Sequence, residues 1–281
     1  MSAIQRPIGR RPGVSACALL LCFTAFCGAG DAARADDGCP APGEAEFVVA
    51  QADGWRTLVT QEGERLIPAG IADFAVLGAS STEKPAEKHE AITQALADAF
   101  RRHAGKSLGI VYLSDRPDRR NRRPVLLFAD GALVQEDLIA QGLAIAYSPG
   151  GDLPCASRLL NAEDEARKQG RGFWTPDSHW IALPRPEHFA GRLDHFVILQ
   201  ARVVSVGTRE RRTYLNFGGL WANDVTVEIP AARREAFGGV EALEALEGRR
   251  LRVRGYAVEK SGPMIEVRQP WQIEVLTNAL Q

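Results

Sequence analysis

The chain has 281 residues, of which 45% are hydrophobic and 25% charged, and its formal net charge is -1. These values are ordinary for a globular protein and exclude a disordered or fibrous chain. The length allows two modest domains, and the near-neutral charge excludes a broadly basic surface that would bind nucleic acid non-specifically.

The first 35 residues have the three parts of a secretory signal peptide. Arg6, Arg10 and Arg11 precede an apolar stretch over residues 14–28, and Ala33-Arg34-Ala35 provides a small-x-small cleavage site. The alternative is a membrane anchor, but the apolar stretch is shorter than the ~20 residues that span a bilayer. We therefore expect cleavage after residue 35 and a periplasmic or secreted protein without a stable membrane span. The leader carries a net charge of +3, so the mature chain has a net charge of -4.

Two cysteines, Cys39 and Cys155, remain in the predicted mature chain, because the other three lie in the leader. In an oxidising compartment they could form one disulfide, which would tie the mature N-terminus to a loop before a helix. The alternative is two unrelated thiols.

The first predicted elements are the two arms of a hairpin, over residues 47–50 and 55–60, with Asp53-Gly54 as the turn. A helix with apolar residues at helical spacing is predicted from Ala86 to Gly105. A strand follows over residues 108–113.

The most informative stretch runs from Arg116 to Ala144. It joins an arginine-rich turn, an apolar strand over residues 124–128, a turn at Ala129-Asp130-Gly131 and a helix that ends in Gln141-Gly142-Leu143-Ala144. A final helix is predicted over residues 156–170.

Arg122, the A-D-G turn and the Q-G-L-A helix end together resemble the middle of a staphylococcal nuclease (thermonuclease) domain. The resemblance covers residues 45–175 and implies a small Greek-key barrel of the oligonucleotide/oligosaccharide-binding (OB) type. It also implies a site in which carboxylates hold Ca²⁺, arginines bind phosphate and a glutamate activates water.

The chain departs from the family's motifs upstream of Arg122. The family's D-G-D-T and R-L-x-G-I-D-x-P-E segments correspond here to residues 53–58 and 67–75. The metal carboxylates then fall on Trp55 or Arg56 and on Ala72, the general base falls on Ala75, and a phosphate-binding arginine falls on Ile67. Alanine offers no metal ligand, and a general base alone contributes ~10²–10⁴-fold to a rate. The resemblance therefore predicts a catalytically degenerate member that keeps Arg122 and binds no cofactor.

A displaced but active site is the alternative. Arg65 lies two positions from the missing arginine, and Asp73 lies one position from the missing metal aspartate. A Ca²⁺-dependent phosphodiesterase would then use Arg122 and Arg65, with Asp53 or Asp73 as metal ligands. A structural envelope module is the third hypothesis. With these alternatives, the sequence leaves open whether the chain is an enzyme.

The C-terminal third has a different pattern. Residues 176–187 contain three prolines and are predicted to be a linker. Five β-like runs and one helical segment follow, which is the element order of a second OB-like barrel. The runs cover residues 196–206, 214–217, 225–229, 251–258 and 264–267, and the helical segment covers residues 231–246.

Two basic clusters are candidate nucleic-acid contacts. One is the arginine turn, where the alternative is a solvated turn balanced by Asp115 and Asp118. The other lies on a predicted hairpin of the second barrel, where basic grooves and stacking aromatic residues bind single strands; here the alternative is a charged hairpin with core aromatics. The candidates are Arg119, Arg120 and Arg123 beside Arg122, and Arg209, Arg211, Arg212 and Tyr214.

The predicted fold is mainly β with α, with an OB-type thermonuclease-like barrel followed by a second small OB-like barrel. The predicted function is binding of single-stranded nucleic acid or another phosphate-bearing ligand or partner. The sequence does not identify a protein partner. The predicted domains are residues 1–35 (signal peptide), 36–44 (mature N-terminal segment), 45–175 (thermonuclease-like domain), 176–187 (linker) and 188–278 (OB-like domain).

Overall fold

The computed structural model describes residues 38–42, 46–78, 85–149, 151–175, 178–218 and 224–276. The predicted leader lies outside the described residues. Among those described, no helix combines the length and apolar character needed to cross a bilayer. About 26% of the described residues are helical and 34% lie in strands.

The N-terminal half is a closed five-stranded barrel with helices around it. Its strands run in the order β3-β2-β1-β5-β6, and parallel pairing of β3 with β6 closes the ring. This confirms the predicted OB-type barrel. In chain order the elements are β1 (Glu46–Ala52), β2 (Leu58–Thr60), β3 (Arg65–Pro68), β4 (Ile71–Ala72), α1 (Pro85–Arg101), β5 (Ser107–Tyr112), β6 (Arg123–Ala129), β7 (Ala132–Leu133), α2 (Val134–Ala140), β8 (Ile145–Ala146) and α3 (Ala156–Lys168).

The fold explains the identity of several residues in the stretch from Arg116 to Ala144. Asp130 and Gly131 both have positive φ, 50° and 78°, as the tight hairpin between β6 and β7 requires. A Cβ on Gly142 would lie 2.2 Å from the carbonyl oxygen of Arg171, so only glycine lets the chain after α3 approach the end of α2. Gln135 is fully buried and joins α2 to β6: its Oε1 accepts a hydrogen bond from the backbone of Leu127 at 3.1 Å.

The C-terminal half is a second sheet, ordered β11-β12-β13-β15-β14-β10-β9, in which β13 and β15 are parallel. Each of the five predicted β-like runs contains a strand. The order and the parallel pair repeat those of the first barrel, which supports the OB-like interpretation; closure into a second barrel stays a prediction. The elements are β9 (Ile181–Ala182), β10 (Phe196–Arg202), β11 (Ser205–Thr208), β12 (Arg212–Asn216), β13 (Thr226–Pro230), α4 (Gly239–Glu244), β14 (Arg250–Glu259), β15 (Pro263–Glu266) and β16 (Ile273–Leu276).

The segment between the halves is packed, unlike a free spacer. Trp180 is 2% exposed, and its ring lies 5.3 Å from that of Phe74 in the core of the first half. Directly after it, β9 pairs with β10 of the second sheet. Residues Asp36–Gln281 accordingly form one compact unit, within which the domain boundaries predicted from the sequence stay predictions.

A buried ionic cluster joins the two halves. Arg254 of β14 is fully buried, and its Nη1 donates to both carboxylate oxygens of Glu163 in α3, at 2.9 and 3.1 Å. Glu163 also accepts a hydrogen bond from the backbone of Ala146 at 2.8 Å. Beside this pair, Arg252 contacts Asp164 of α3 at 3.0 Å and Glu274 of β16 at 3.1 Å.

Cys39 and Cys155 form a disulfide. The bond joins residues 116 positions apart and attaches the N-terminal segment to the residue that precedes α3. The pairing suggested by the cysteine count is therefore present in the structure.

Candidate functional site

A cleft of about 410 Å³, here called the barrel cleft, opens beside strands β3 and β6. Residues 67–71 of the segment that aligns with the family's second catalytic motif line it, and Ile67 stands where the family has an arginine. The full lining is Trp55, Arg56, Ile67, Pro68, Ala69, Gly70, Ile71, Leu113, Arg122, Pro124, Tyr147, Ser148, Pro149, Asp152 and Pro154.

Arg122 lies in the cleft wall, and its guanidinium already donates hydrogen bonds within the protein. Its Nε and Nη2 donate to Asp118 Oδ2 at 2.9 and 2.6 Å, and its Nη1 donates to the carbonyl oxygen of Arg56 at 2.9 Å. The side chain is only 9% exposed. Burial alone would raise the pKa of Asp118, but hydrogen bonds from Arg122 and Arg120 hold it below its usual value. Asp118 is therefore a charged partner that competes with any phosphate for Arg122.

Arg56 is the more accessible cation of the barrel cleft. Its side chain is 50% exposed, and its guanidinium carbon lies 4.5 Å from the centre of the Trp55 ring. One guanidinium nitrogen lies 3.8 Å from Asp73 Oδ1, so the buried carboxylate orients the arginine from behind. Sequence reasoning did not select Arg56, although it occupies a position where the family has a metal aspartate.

The residues predicted for a displaced metal site do not meet. Asp73 is 1% exposed, and its Oδ2 accepts hydrogen bonds from Trp55 Nε1 and Thr93 Oγ1, both at 2.8 Å. Asp53 is exposed on the hairpin, and Arg65 is exposed on β3; neither lines the cleft.

The donor set does not fit Ca²⁺, which takes six to eight oxygen ligands, several of them carboxylates. Among the described residues of the cleft wall, Asp152 is the single carboxylate. Within the described part of the chain, no three His, Cys, Asp or Glu side chains form a group that could hold a metal. Ala72 is fully buried and Ala75 lies outside the lining, so the aligned positions offer no substitute oxygen.

The other arginines of the turn lie outside the barrel cleft. Arg119 and Arg120 are exposed and do not line the barrel cleft. Arg123 pairs with Glu64 at 3.0 Å and lies 3.5 Å from the centre of the Tyr112 ring. Burial and a 2.5 Å hydrogen bond to Glu64 raise the pKa of Tyr112 to about 12. The turn therefore contributes Arg122 alone to the cleft.

Residues 80–176 match the family model of staphylococcal nuclease homologues. By this match, residues 80–176 belong to a staphylococcal nuclease homologue (SNase) domain. The matched segment runs from before α1 to beyond α3 and includes Arg122, the A-D-G turn and the Q-G-L-A helix end. It does not include residues 53–75, where the family's metal and base motifs would fall. No curated protein matches the chain.

Tyr147 closes the barrel cleft of the SNase domain on the side of the second sheet. Its hydroxyl lies 2.5 Å from that of Tyr256 in β14, and both rings pack edge-on against Phe196. Burial and the hydrogen bond to Tyr256 raise the pKa of Tyr147 far above its usual range, so this wall stays uncharged. No sequence pattern indicated Tyr147, because its role depends on packing between distant segments.

A second cavity of about 260 Å³, here called the sheet pocket, lies on the second sheet outside the SNase match. Two of the predicted nucleic-acid contacts, Arg209 and Tyr214, line this pocket. Arg212 instead pairs with Glu228, and the exposed Arg211 is not part of the lining. The lining is Ser205, Gly207, Arg209, Tyr214, Asn216, Gly218, Asp224, Thr226, Glu228, Lys260, Ser261 and Met264.

Proposed function

We propose that the SNase domain binds single-stranded nucleic acid in the barrel cleft without hydrolysing it, and that the protein acts in the periplasm or outside the cell after loss of residues 1–35. The observation that carries the proposal is the state of Arg122. Its guanidinium is bound to Asp118 and to the Arg56 carbonyl, in a wall whose described residues include one carboxylate.

Hydrolysis by the family's mechanism needs more than this wall offers. A metal ion polarises the phosphoryl oxygen, a base activates water and arginines stabilise the charge of the transition state. Trp55 or Arg56 occupies the position of one metal aspartate, and Ala72 and Ala75 occupy those of the second aspartate and the base. Binding needs less, because one exposed arginine beside aromatic side chains can hold a phosphate and a base.

The arrangement of charge predicts weak, local binding. Among the described residues that line the barrel cleft, Arg56 and Arg122 are the two cations, and Asp152 offsets one of them. A site that neutralises one or two phosphates has a shallow dependence on salt, since the slope is about -0.7 per phosphate for single strands.

The test uses the purified mature chain with labelled single-stranded DNA and RNA twelve-mers, in Ca²⁺ and in chelator. We expect no cleavage above the protein-free blank in either condition. Fluorescence anisotropy should show binding, and Arg56→Ala should weaken it by about three- to tenfold through loss of one charge-assisted contact.

Arg65→Ala is the matched control, because Arg65 is an exposed arginine on the same barrel outside the cleft. Equal losses of affinity in the two variants would show that the twelve-mers bind by general charge attraction. Ca²⁺-dependent cleavage that disappears in Arg122→Ala would establish the displaced active site instead. If neither variant nor wild type binds the twelve-mers, the barrel cleft is not a nucleic-acid site.

A further inference from the structure

The floor of the sheet pocket consists of two rows of side chains on one face of the second sheet. Strand register aligns Ser205 with Asn216, Asn216 with Thr226 and Thr226 with Met264. A second row aligns Gly207 with Tyr214 and Tyr214 with Glu228. Because alternate residues of a strand share a face, both rows point to the same side, and all their members line the pocket.

We propose that the sheet pocket binds an uncharged oligosaccharide. This site is separate from the barrel cleft, and the proposal does not depend on nucleic-acid binding there.

Balanced charge favours an uncharged ligand over a phosphate. The described residues of the lining include two cations, Arg209 and Lys260, and two carboxylates, Asp224 and Glu228. Lys260 is already paired with Glu228 at 2.9 Å, and Arg212 pairs with the same carboxylate from outside the lining. Glu228 is 1% exposed, so its charge lies in the floor, where water screens it poorly. A phosphate in the pocket would meet both carboxylates, whereas a neutral ligand meets no like charge.

The hydrogen-bonding groups suit a ligand that both donates and accepts. Sugar hydroxyls do both, and they need acceptors and donors side by side. The pocket places the hydroxyls of Ser205 and Thr226 beside the Asn216 amide and two carboxylates. The Asn216 Nδ2 donates to Ser205 Oγ at 3.0 Å, which fixes the orientation of the amide.

Tyr214 and Gly207 supply the apolar surface. Gly207 lies directly across from Tyr214 and carries no side chain, so no cross-strand neighbour covers the ring on that side. A Cβ built on Gly207 meets no atom of the described residues within 4 Å, so a side chain has room at this position. Met264 adds apolar surface in the other row. The pocket therefore has an aromatic surface for the C–H face of a sugar ring, with polar groups around it.

The test measures binding of maltohexaose, cellohexaose and chitohexaose to the mature chain by isothermal titration calorimetry, with a thymidine twelve-mer as the phosphate probe. We expect at least one hexasaccharide to bind, with an affinity that changes less than about twofold as salt is raised. Gly207→Leu, which fills the pocket without strain, should weaken binding by about tenfold or more. Tyr214→Phe should retain it within about threefold, because the ring remains.

Thr208→Leu is the control, since it adds the same side chain one residue along β11, on the opposite face. It should leave the affinity unchanged. Lack of binding by all three hexasaccharides overturns the proposal, as does binding that Gly207→Leu leaves intact. Binding of the twelve-mer that Gly207→Leu abolishes would make the pocket a nucleic-acid site, and Arg56→Ala would leave that binding unaffected.

Discussion

At the scale of single residues, Arg122 illustrates how a retained family residue can have a different role. The same guanidinium that would bind a phosphate holds a turn together through Asp118 and the Arg56 carbonyl. An arginine fork has five donors, but those already bonded are available to a ligand only if a bond within the protein breaks. The carboxylate four residues upstream therefore determines what Arg122 can do.

Replacing Asp118 should release Arg122. We expect Asp118→Asn to bind the single-stranded twelve-mers about three- to tenfold more tightly, because a competing charge is removed. The same change should lower the free energy of unfolding by about 1–2 kcal/mol, since a charge-assisted pair is lost. Anisotropy and urea unfolding measure the two effects. Asp115→Asn, in the same turn, controls for net charge; an equal gain in affinity there would contradict the specific role of Asp118.

The sequence predicted Arg122 as a retained phosphate-binding arginine but could not show its partners. Residue spacing indicates Asp118 only as a balancing charge of a solvated turn, and Asp73 as a metal ligand. The structure instead buries Asp73 against Trp55 and Thr93, residues 18 and 20 positions away. Such contacts depend on the packing of the hairpin against α1, which residue spacing does not specify.

At the scale of elements, α3 connects the barrel to the second sheet through adjacent acidic residues. Asp164 accepts hydrogen bonds within the helix and contacts Arg252 of β14. Burial alone would raise the pKa of Asp164, but hydrogen bonds from Lys168 and Arg167 and the charge of Arg252 lower it from 3.8 to about 2.

Acid should remove the stabilisation that the charge of Asp164 provides. Because the folded-state pKa lies below the unfolded value, Asp164 stabilises the protein above about pH 4, and this stabilisation is lost as the pH falls toward 2. We expect Asp164→Asn to have a lower melting temperature than wild type at neutral pH. The difference in melting temperature should narrow steadily between pH 4 and pH 2. Thermal unfolding across this range measures the gap. A gap of constant size would show that the Asp164 charge does not stabilise the fold.

The elements themselves were largely predictable, because each follows from local pattern. Apolar spacing predicted α1 and α2, and the A-D-G turn predicted the end of β6. The predicted single helix over residues 231–246 is a 3₁₀ helix, Ala231–Phe237, followed by α4, since Gly238 and Gly239 both have φ of 87°. Strands β9 and β16 were missed because they are short and depend on the neighbours they pair with.

At the scale of the whole molecule, the Glu163–Arg254 pair couples the halves. We expect Arg254→Met to lower the free energy of unfolding by about 3–5 kcal/mol, because Glu163 is left charged and buried. Arg268→Met is the matched control: Arg268 pairs with Glu266 at the surface, where a pair contributes about 1 kcal/mol or less. Urea unfolding measures both. Similar losses in the two variants would mean that the buried pair does not hold the halves together.

The disulfide determines how long the molecule lasts in each compartment. Closing a loop of 116 residues removes unfolded-chain entropy worth about 4–5 kcal/mol, a large part of the stability of a protein this size. A copy that keeps both thiols reduced unfolds more often, and proteases degrade unfolded chains. Copies held in a reducing compartment should therefore turn over quickly, while oxidised copies persist, so abundance follows redox conditions without any dedicated regulator.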